Sequence, residues 1–214
     1  KVPLMVKIVE NKSVLERYIT NKQALKQIKK WLEDLKKWNY NFDVDLKEPT
    51  LFSLWEIYFV DNLFKAQINN TLLRNHASLY YGYDDFLVKL FQRLVKDPTY
   101  FSEYCQAEGQ RISEGCVKIL VEGLQFTYDY LVPAGTTLKE EDLQYGKWHE
   151  VHYRYVPFNK TPLRIIFDRS DQDRGSKHTI NVGSIYYPKF ETNGLESYHV
   201  PNYRMIVDFG KEED

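Results

Sequence analysis

The sequence lacks an excess of charge of either sign, because its 214 residues contain 29 Lys and Arg against 30 Asp and Glu. This balance excludes a strongly basic nucleic-acid-binding protein, which needs surplus positive charge to neutralise phosphates. No apolar run approaches the roughly 18–20 residues of a membrane-spanning helix, and the first residues do not form a signal peptide. Internal repeats and low-complexity segments are also missing from the sequence.

Aromatic residues, in contrast, are abundant and make up 15% of the sequence, including 17 Tyr and 12 Phe. A long disordered tail is therefore excluded, because such tails lack the aromatic residues that form a core. A folded chain of this length buries roughly 70% of the surface that its unfolded form exposes. We therefore expect one large domain, or two coupled layers of one.

Only two cysteines are present, Cys105 and Cys116, and three triplets fit the N-glycosylation pattern, at Asn11, Asn69 and Asn159. A reduced cysteine pair is the ordinary interpretation, and Pro162 weakens the third triplet. Together, the two features favour a secretory, lysosomal or extracellular protein, in which a local disulfide would persist. Two cysteines without a neighbouring histidine do not indicate a metal site.

The first part of the sequence predicts helices. Ser13 is expected to cap a helix that runs to about Trp38, because apolar residues recur every three or four positions at Leu25, Ile28, Leu32 and Leu35. A second helix, from Thr50 to about Ile68, is apolar on more than one side. It must therefore be covered by protein over most of its surface.

Two more helices are predicted further along the chain. One begins at Asp84 or Asp85, ends by Pro98 and presents an apolar face formed by Leu87, Leu90, Phe91 and Leu94. The other runs from about Ser113 to Leu131 and presents Cys116, Ile119, Leu120, Leu124 and Tyr128.

Beyond Gly135 the sequence predicts strands, because β-branched and aromatic residues dominate five short segments. These segments are Val151–Phe158, Leu163–Phe167, Thr179–Val182, Ile185–Tyr187 and Tyr203–Phe209. Helices followed by strands indicate the α+β class. We therefore expect a mainly helical segment at residues 1–135, followed by a β-rich segment of antiparallel strands at residues 136–214.

A complete active site is not evident from the sequence. The stretch from His149 to His152 is one residue shorter than the H-E-x-x-H zinc motif, and strand positions three apart point to opposite faces, so a hydrogen-bonded histidine is expected instead. An acidic turn between two strands is the expected structure of the residues Asp168, Asp171 and Asp173, which do not fit an EF-hand. Neither a G-x-S-x-G elbow nor a Gly-rich phosphate loop is present.

Several motifs nevertheless occur in an order that resembles the C-terminal region of the penicillin amidase family. They are LKKWNY at residues 35–40, PTLFSLW at 49–55, YGKWH at 145–149, GSKHTIN at 175–181 and NYRMIVD at 202–208. The corresponding family patterns are L-x-x-W-D-G, P-x-x-[FL]-x-x-W, W-G-x-x-H, G-x-x-x-T-V-N and S-x-R-x-V-x-D. The resemblance spans nearly the whole chain, with departures at Asn39, Tyr145 and the Asn202-Tyr203 pair.

The resemblance implies an N-terminal-nucleophile hydrolase with an αββα core. In this family, self-cleavage exposes a Ser whose own α-amine serves as the base, and backbone and Asn donors stabilise the oxyanion. Lys1 cannot be that nucleophile, and the family's oxyanion-hole residues and calcium ligands lie upstream of the matched region. We therefore expect no catalytic residue and no cofactor in this chain. Its expected partners are other chains of the same processed precursor.

Three hypotheses about function follow. The leading one is a C-terminal chain or portion of an amidohydrolase that cleaves linear amide bonds, in which aromatic residues either line an acyl pocket or pack the core; the candidates are Phe52, Trp55, Phe126 and Tyr130. The second is a catalytically inactive relative that serves as a structural component of an assembly, since Tyr and Phe dominate interface cores. The third is an unrelated α+β binding module.

Overall fold

A computed structural model gives the structure of residues 1–65, 84–105, 114–133, 135–177, 179–185 and 194–200. The helices in these ranges are α1 (Val2–Val9), α2 (Lys12–Tyr18), α3 (Lys22–Lys37), α4 (Glu48–Lys65), α5 (Asp84–Leu94), α6 (Gly115–Leu131) and α7 (Arg164–Phe167). The strands are β1 (Glu150–Tyr153), β2 (Arg169–Gln172), β3 (Ser184–Ile185) and β4 (Ser197–His199). Short 3₁₀ turns lie at Ser102–Tyr104, Glu140–Leu143 and Tyr145–Lys147.

The region predicted as one helix from Ser13 to Trp38 forms two helices, α2 and α3. Asn11, rather than Ser13, caps α2, because its side chain accepts a hydrogen bond from the backbone N–H of Ser13 at 3.1 Å. Asn21 caps α3 by accepting from the N–H groups of Gln23 and Ala24 at 2.9 and 3.2 Å. Each Asn satisfies donors that a helix start leaves free, so the chain contains two starts where one was predicted.

Helix α4 lies at the centre of the helical part, as its apolar residues on several sides predict. The indole of Trp55 donates a hydrogen bond to the carbonyl of Leu120 in α6 at 2.8 Å. On another side, the Phe59 ring packs against Phe91 of α5 at a centroid distance of 5.2 Å. The chain itself therefore covers α4, since none of the described side chains from Glu48 to Leu63 is exposed.

Helices α5 and α6 confirm the predicted periodicity. All of the residues assigned to their apolar faces are buried in the core, which also contains Val2, Met5, Val6, Ile8 and Val9 of α1. Such burial stabilises a helix more than its intrinsic propensity does.

A disulfide joins Cys105 and Cys116, whose Cα atoms are 4.9 Å apart. It connects the 3₁₀ turn at Ser102–Tyr104 to the start of α6. The backbone N–H of Gly115 also donates to the Ser102 hydroxyl oxygen at 3.2 Å. A covalent bond and a hydrogen bond therefore hold the Ser102–Tyr104 turn against the start of α6.

The four strands form one sheet in the order β2-β1-β4-β3. β1 pairs antiparallel with β2, and β3 pairs antiparallel with β4. The central pair, β1 with β4, is parallel, so the prediction of purely antiparallel strands is wrong for this pair. Helices that precede a small sheet are compatible with the predicted α+β class.

Two predictions in the β-rich segment are also wrong. Residues 164–167, within the predicted strand Leu163–Phe167, form helix α7, and residues 169–172, within the predicted acidic turn, form strand β2. All four residues of α7 are exposed, so no packed sheet surface selects the strand that their composition favours. Pro162, which fixes a helical φ angle, lies in the turn just before α7.

The remaining predicted strands have different outcomes. The segment Thr179–Val182 is not a strand and contributes only an isolated bridge between Ser176 and Val182. Strand β1 ends at Tyr153, well before Phe158. Residues 186–187 and the predicted strand Tyr203–Phe209 lie outside the described residues.

Candidate functional site

Four polar side chains from separate parts of the sequence form a buried cluster beside the sheet. Tyr145 lies in a 3₁₀ turn, His149 precedes β1, Asp173 follows β2 and Ser197 opens β4. All four are buried. We call them the polar cluster.

Hydrogen bonds and ring contacts link the members of the polar cluster. The Ser197 hydroxyl donates to Asp173 Oδ2 at 2.8 Å, and the Asp173 backbone N–H donates to the His149 carbonyl at 2.8 Å. His149 Nδ1 lies 2.6 Å from the Leu195 carbonyl, so this nitrogen carries the proton in the neutral ring. The Tyr145 ring stacks on His149 at 4.6 Å, and its hydroxyl donates to the Gly175 carbonyl at 3.0 Å.

Glycine at position 183 allows the backbone to close over the polar cluster. A Cβ atom there would lie 2.7 Å from His149 Nε2 and 2.9 Å from Asp173 Oδ2. Such distances are shorter than real Cβ contacts, so a side chain would displace the histidine or the carboxylate. The close approach of this loop therefore excludes solvent from the pair.

Burial shifts the titration of two members of the polar cluster. It lowers the pKa of His149 below the ordinary value of 6.5, and the Leu195 carbonyl and the Asp173 carboxylate only partly offset it. His149 Nε2 is 3.8 Å from Asp173 Oδ2, which is too far for a hydrogen bond. Burial also raises the pKa of Tyr145 well above its ordinary value. Both side chains are therefore neutral near pH 7.

We expect the free energy of unfolding to fall as the pH drops below about 6.5, the ordinary pKa of histidine. Folding keeps His149 neutral, whereas the unfolded chain binds a proton there, so acid favours the unfolded state. Urea unfolding at intervals between roughly pH 5 and 8 measures this slope. His149→Gln should flatten it, and the control His152→Gln, at an exposed histidine, should not. A wild-type slope of zero or of opposite sign would contradict the prediction.

The polar cluster does not have the geometry of a Ser-His-Asp hydrolase site. The Ser197 hydroxyl donates to Asp173 rather than to His149, so the histidine is not placed to take its proton. Ser197 is also buried, whereas a nucleophile must reach its substrate. The geometry instead ties β4 to the segments that flank β1 and β2, which is a structural role.

A cavity of about 450 Å³ lies next to the polar cluster, and Gly183 borders both. Its walls are mainly aromatic and come from the end of α3, the following loop and α4, through Trp38, Tyr40, Phe42 and Phe52. Ser176, Lys177, Thr179 and Gly183 also line the cavity. This volume lies within the range of small-molecule pockets, which are mostly apolar with a few placed polar groups.

The charged side chains that line the cavity, Lys1, Glu56 and Lys177, are held in ion pairs with one another and with Asp84. The Lys1 ammonium contacts the carboxylates of Glu56 and Asp84, and the Lys177 ammonium lies 3.2 Å from Asp84 Oδ2. Burial acts to lower the pKa of the Lys1 side chain, but Glu56 and Asp84 outweigh it, so this pKa is raised. The charges are therefore largely compensated, and the cavity suits an apolar or aromatic group.

The aromatic candidates for an acyl pocket lie in different places. Phe52 lines the cavity. Trp55 is fully buried against α6, and Phe126 packs between Tyr58 and Tyr130, at centroid distances of 5.0 and 5.9 Å. Trp55 is therefore a core residue and Tyr130 packs against the core, whereas Phe126 is half-buried and contacts its neighbouring rings away from this cavity.

The other candidate residues are also separated. His149 is buried and hydrogen-bonded, as expected, and His152 is exposed. Of the three acidic residues, only Asp173 is buried, while Asp168 and Asp171 are not. Among the described residues, no group of three or more His, Cys, Asp or Glu is placed to hold a metal ion.

The three glycosylation candidates differ in accessibility. Asn11 is exposed, and its side-chain oxygen caps α2. Asn159 is partly buried in the connection between β1 and β2, and Asn69 lies outside the described residues.

The penicillin amidase family model matches residues 3–214 of the chain. The chain belongs to the penicillin amidase family. A comparison with curated proteins found no match.

Four of the five penicillin amidase motifs contribute residues to the polar cluster or to the adjoining cavity, and the fifth, at residues 202–208, lies outside the described residues. Tyr145 replaces the family Trp and keeps a polar contact through its hydroxyl. Asn39 replaces the family Asp and accepts a hydrogen bond from the Asn41 N–H at 3.0 Å, which preserves a local turn. The next residue, Tyr40, has a positive φ of 64°, which explains why the family pattern has Gly at this position.

Sequence reasoning missed the link between Ser197 and Asp173, as well as the ion pairs beside the cavity. The motif positions were the one available signal, because they name Tyr145, His149 and Gly175 without showing that they adjoin, and Ser197 belongs to none of the motifs. The ion pairs of Lys1 join residues 55 and 83 positions apart, and no local pattern predicts such contacts.

Proposed function

We propose that this chain is a non-catalytic portion of a penicillin amidase-type hydrolase that cleaves linear amide bonds. The nucleophile would come from a separate chain or an upstream segment of the same precursor. The role of these residues would be to complete the fold around the active site. The observation that carries this proposal is the family match over residues 3–214.

The geometry of the described residues supports the proposal that the nucleophile lies outside this chain. The Ser, His and Asp that lie together in the polar cluster are buried, and the serine donates to the carboxylate. An exposed nucleophile with a free base, as an amide hydrolase requires, would therefore come from elsewhere. The aromatic cavity provides an apolar surface that an acyl group could contact.

Native purification tests the proposal. The chain is tagged and isolated from its own cells without denaturant, and the first residue of each tightly bound chain is determined. We expect a companion that begins with Ser, Thr or Cys, and a complex that hydrolyses chromogenic acyl anilides. Replacing that first residue with alanine should lower the rate by at least about a thousandfold, as removal of a nucleophile does.

A matched variant within this chain sharpens the result. Ser197→Ala should leave the rate per folded complex within about tenfold of wild type, because Ser197 has a structural role. Loss of hydrolysis on this change, with the fold retained, would instead identify Ser197 as the nucleophile. Hydrolysis by the isolated chain would overturn the proposal. An inactive complex whose companion begins with a residue unable to act as nucleophile would favour the structural component.

We also propose that the protein resides in the secretory pathway, a lysosome or the extracellular space. The Cys105–Cys116 disulfide supports an oxidising compartment, and Asn11 is exposed. Ser13→Ala tests the glycan at Asn11 most cleanly, because it removes the acceptor triplet and keeps the asparagine that caps α2. The mass of the secreted protein should fall by one glycan.

A further inference from the structure

The connection between β1 and β2 stands apart from the core. The two strands form an antiparallel pair whose last partners are Tyr153 and Arg169, and residues 154–168 join them. None of these 15 residues is buried, and none belongs to the hydrophobic core. We call this segment the hairpin tip.

The hairpin tip is held by contacts among its own residues. The rings of Tyr155, Phe158 and Phe167 pack together, with centroids 4.8 to 5.6 Å apart. The Tyr155 backbone N–H donates to the Asp168 carboxylate at 2.9 Å. Turn hydrogen bonds and the short helix α7 give the rest of the tip a regular backbone. The remaining side chains of the tip therefore project from an ordered backbone.

Those remaining side chains include a cluster of exposed aliphatic residues. Ile165 is 82% exposed, Val156 77%, Ile166 59% and Leu163 42%. Single exposed apolar residues are ordinary on protein surfaces, but several within one short segment mark a site of interaction with a protein or a membrane.

Basic residues accompany this aliphatic cluster. The hairpin tip contains three basic side chains, Arg154, Lys160 and Arg164, against the single acid Asp168, so its formal charge is +2. The whole chain carries −1, and the rest of it therefore carries −3. Arg154 lies 3.6 Å from the Glu196 carboxylate, so the attraction to anionic groups comes mainly from Lys160 and Arg164, to which Arg169 adds a further cation at the base of the tip.

We propose that the hairpin tip docks on an anionic lipid surface. Apolar side chains of an interfacial segment enter the boundary between headgroups and acyl chains, while basic residues attract anionic lipids. Long Arg and Lys side chains keep their charge at headgroup level while their stems contact apolar groups. A standard protein interface uses about 20–30 residues on each side. The hairpin tip is smaller than that, which favours a lipid surface over a protein partner. The inference requires the tip to stay exposed when the companion of the proposed function is bound, and the variants below separate the two.

A glycan at Asn159 and docking of the hairpin tip would exclude each other. Asn159 lies within the tip, and a glycan there is bulky and hydrophilic. The inference therefore requires Asn159 to be unmodified, which Pro162 directly after its acceptor triplet favours.

Vesicle sedimentation of the full chain tests the inference. Vesicles contain either phosphatidylcholine alone or phosphatidylcholine mixed with phosphatidylserine. We expect binding to the mixed vesicles to be on the order of tenfold tighter and to weaken as salt is added. Ile165→Ser combined with Ile166→Ser should abolish this binding. The control Ile180→Ser changes a fully exposed isoleucine outside the tip and should leave binding unchanged.

A second pair of variants, one in the hairpin tip and one control, measures how much charge contributes to vesicle binding. Arg164→Glu should weaken binding to the mixed vesicles about tenfold or more, whereas Lys139→Glu, at an exposed lysine outside the tip, should have little effect. Equal binding to both kinds of vesicle, no binding to either, or no effect of the tip variants would overturn the inference. If the wild type does not bind vesicles and the tip variants lose a companion chain, the tip is a protein interface instead.

Discussion

Replacing Gly175 with alanine is expected to lower the free energy of unfolding by at least about 3 kcal/mol. Gly175 has a φ of 94°, and a Cβ atom would lie 1.8 Å from the Asn181 carbonyl oxygen. That oxygen belongs to the backbone and accepts a hydrogen bond from Thr179 Oγ1 at 2.6 Å. Relief of the overlap would therefore move the whole loop. It would also disturb the hydrogen bond of Tyr145 to the Gly175 carbonyl.

Gly135→Ala is the matched control for this prediction. Gly135 has a similar φ of 83°, but a Cβ atom there would meet nothing within 4 Å. Its cost should therefore be the strain of a left-handed residue alone, about 1–2 kcal/mol. Urea unfolding followed by tryptophan fluorescence measures both variants. Equal destabilisation by the two changes would show that close packing at Gly175 contributes nothing.

The sequence was most informative where one side of a long helix packs on the core. Leu87, Leu90, Phe91 and Leu94 of α5 follow the helical period, and all are buried. A local pattern is sufficient there, because the same spacing decides both the secondary structure and the buried face. The boundary between α2 and α3 was not predicted from the apolar spacing, because that spacing identifies the buried face of a helix and not its first residue, which the cap at Asn21 sets.

Composition failed where residues are exposed. Leu163–Phe167 has the composition of a strand and forms mostly helix, while the polar stretch Arg169–Gln172 forms the strand β2. Strand propensity mainly reflects packing on a half-buried sheet. β2 is instead specified by its pairing with β1, from Glu150 with Gln172 to Tyr153 with Arg169. That pairing depends on a 15-residue connection whose path the sequence does not reveal.

The candidate site could be predicted only in part. The family motifs include Tyr145, His149 and Gly175, and a hydrogen-bonded His149 was expected, whereas Asp173 and Ser197 lie outside the motifs. The contact of Ser197 with Asp173 spans 24 positions, and the contact of His149 with Leu195 spans 46. These contacts depend on the order of strands in the sheet, which places β4 beside β1. The family patterns mark only part of the cluster, and the topology shows which residues complete it.

Removing the Cys105–Cys116 disulfide is expected to lower the free energy of unfolding by about 3 kcal/mol. The two cysteines are 11 positions apart, and the bond limits the conformations of the unfolded chain that must be ordered on folding. Both residues are buried in the core, so Cys105→Ala with Cys116→Ala avoids placing new polar groups there. Urea unfolding of the wild type and of this double variant measures the difference.

A reductant separates the bond itself from the packing of the two side chains. Treatment with a thiol should destabilise the wild type by a similar amount and leave the double variant unchanged, because only the wild type has a bond to break. The bond also connects the turn at Ser102–Tyr104 to the start of α6, whose residues Leu120 and Gly123 contact Trp55. Reduction should therefore loosen the packing of α6 on α4, seen as a change in Trp55 fluorescence. Equal stability with and without reductant would show that the disulfide does not stabilise the fold.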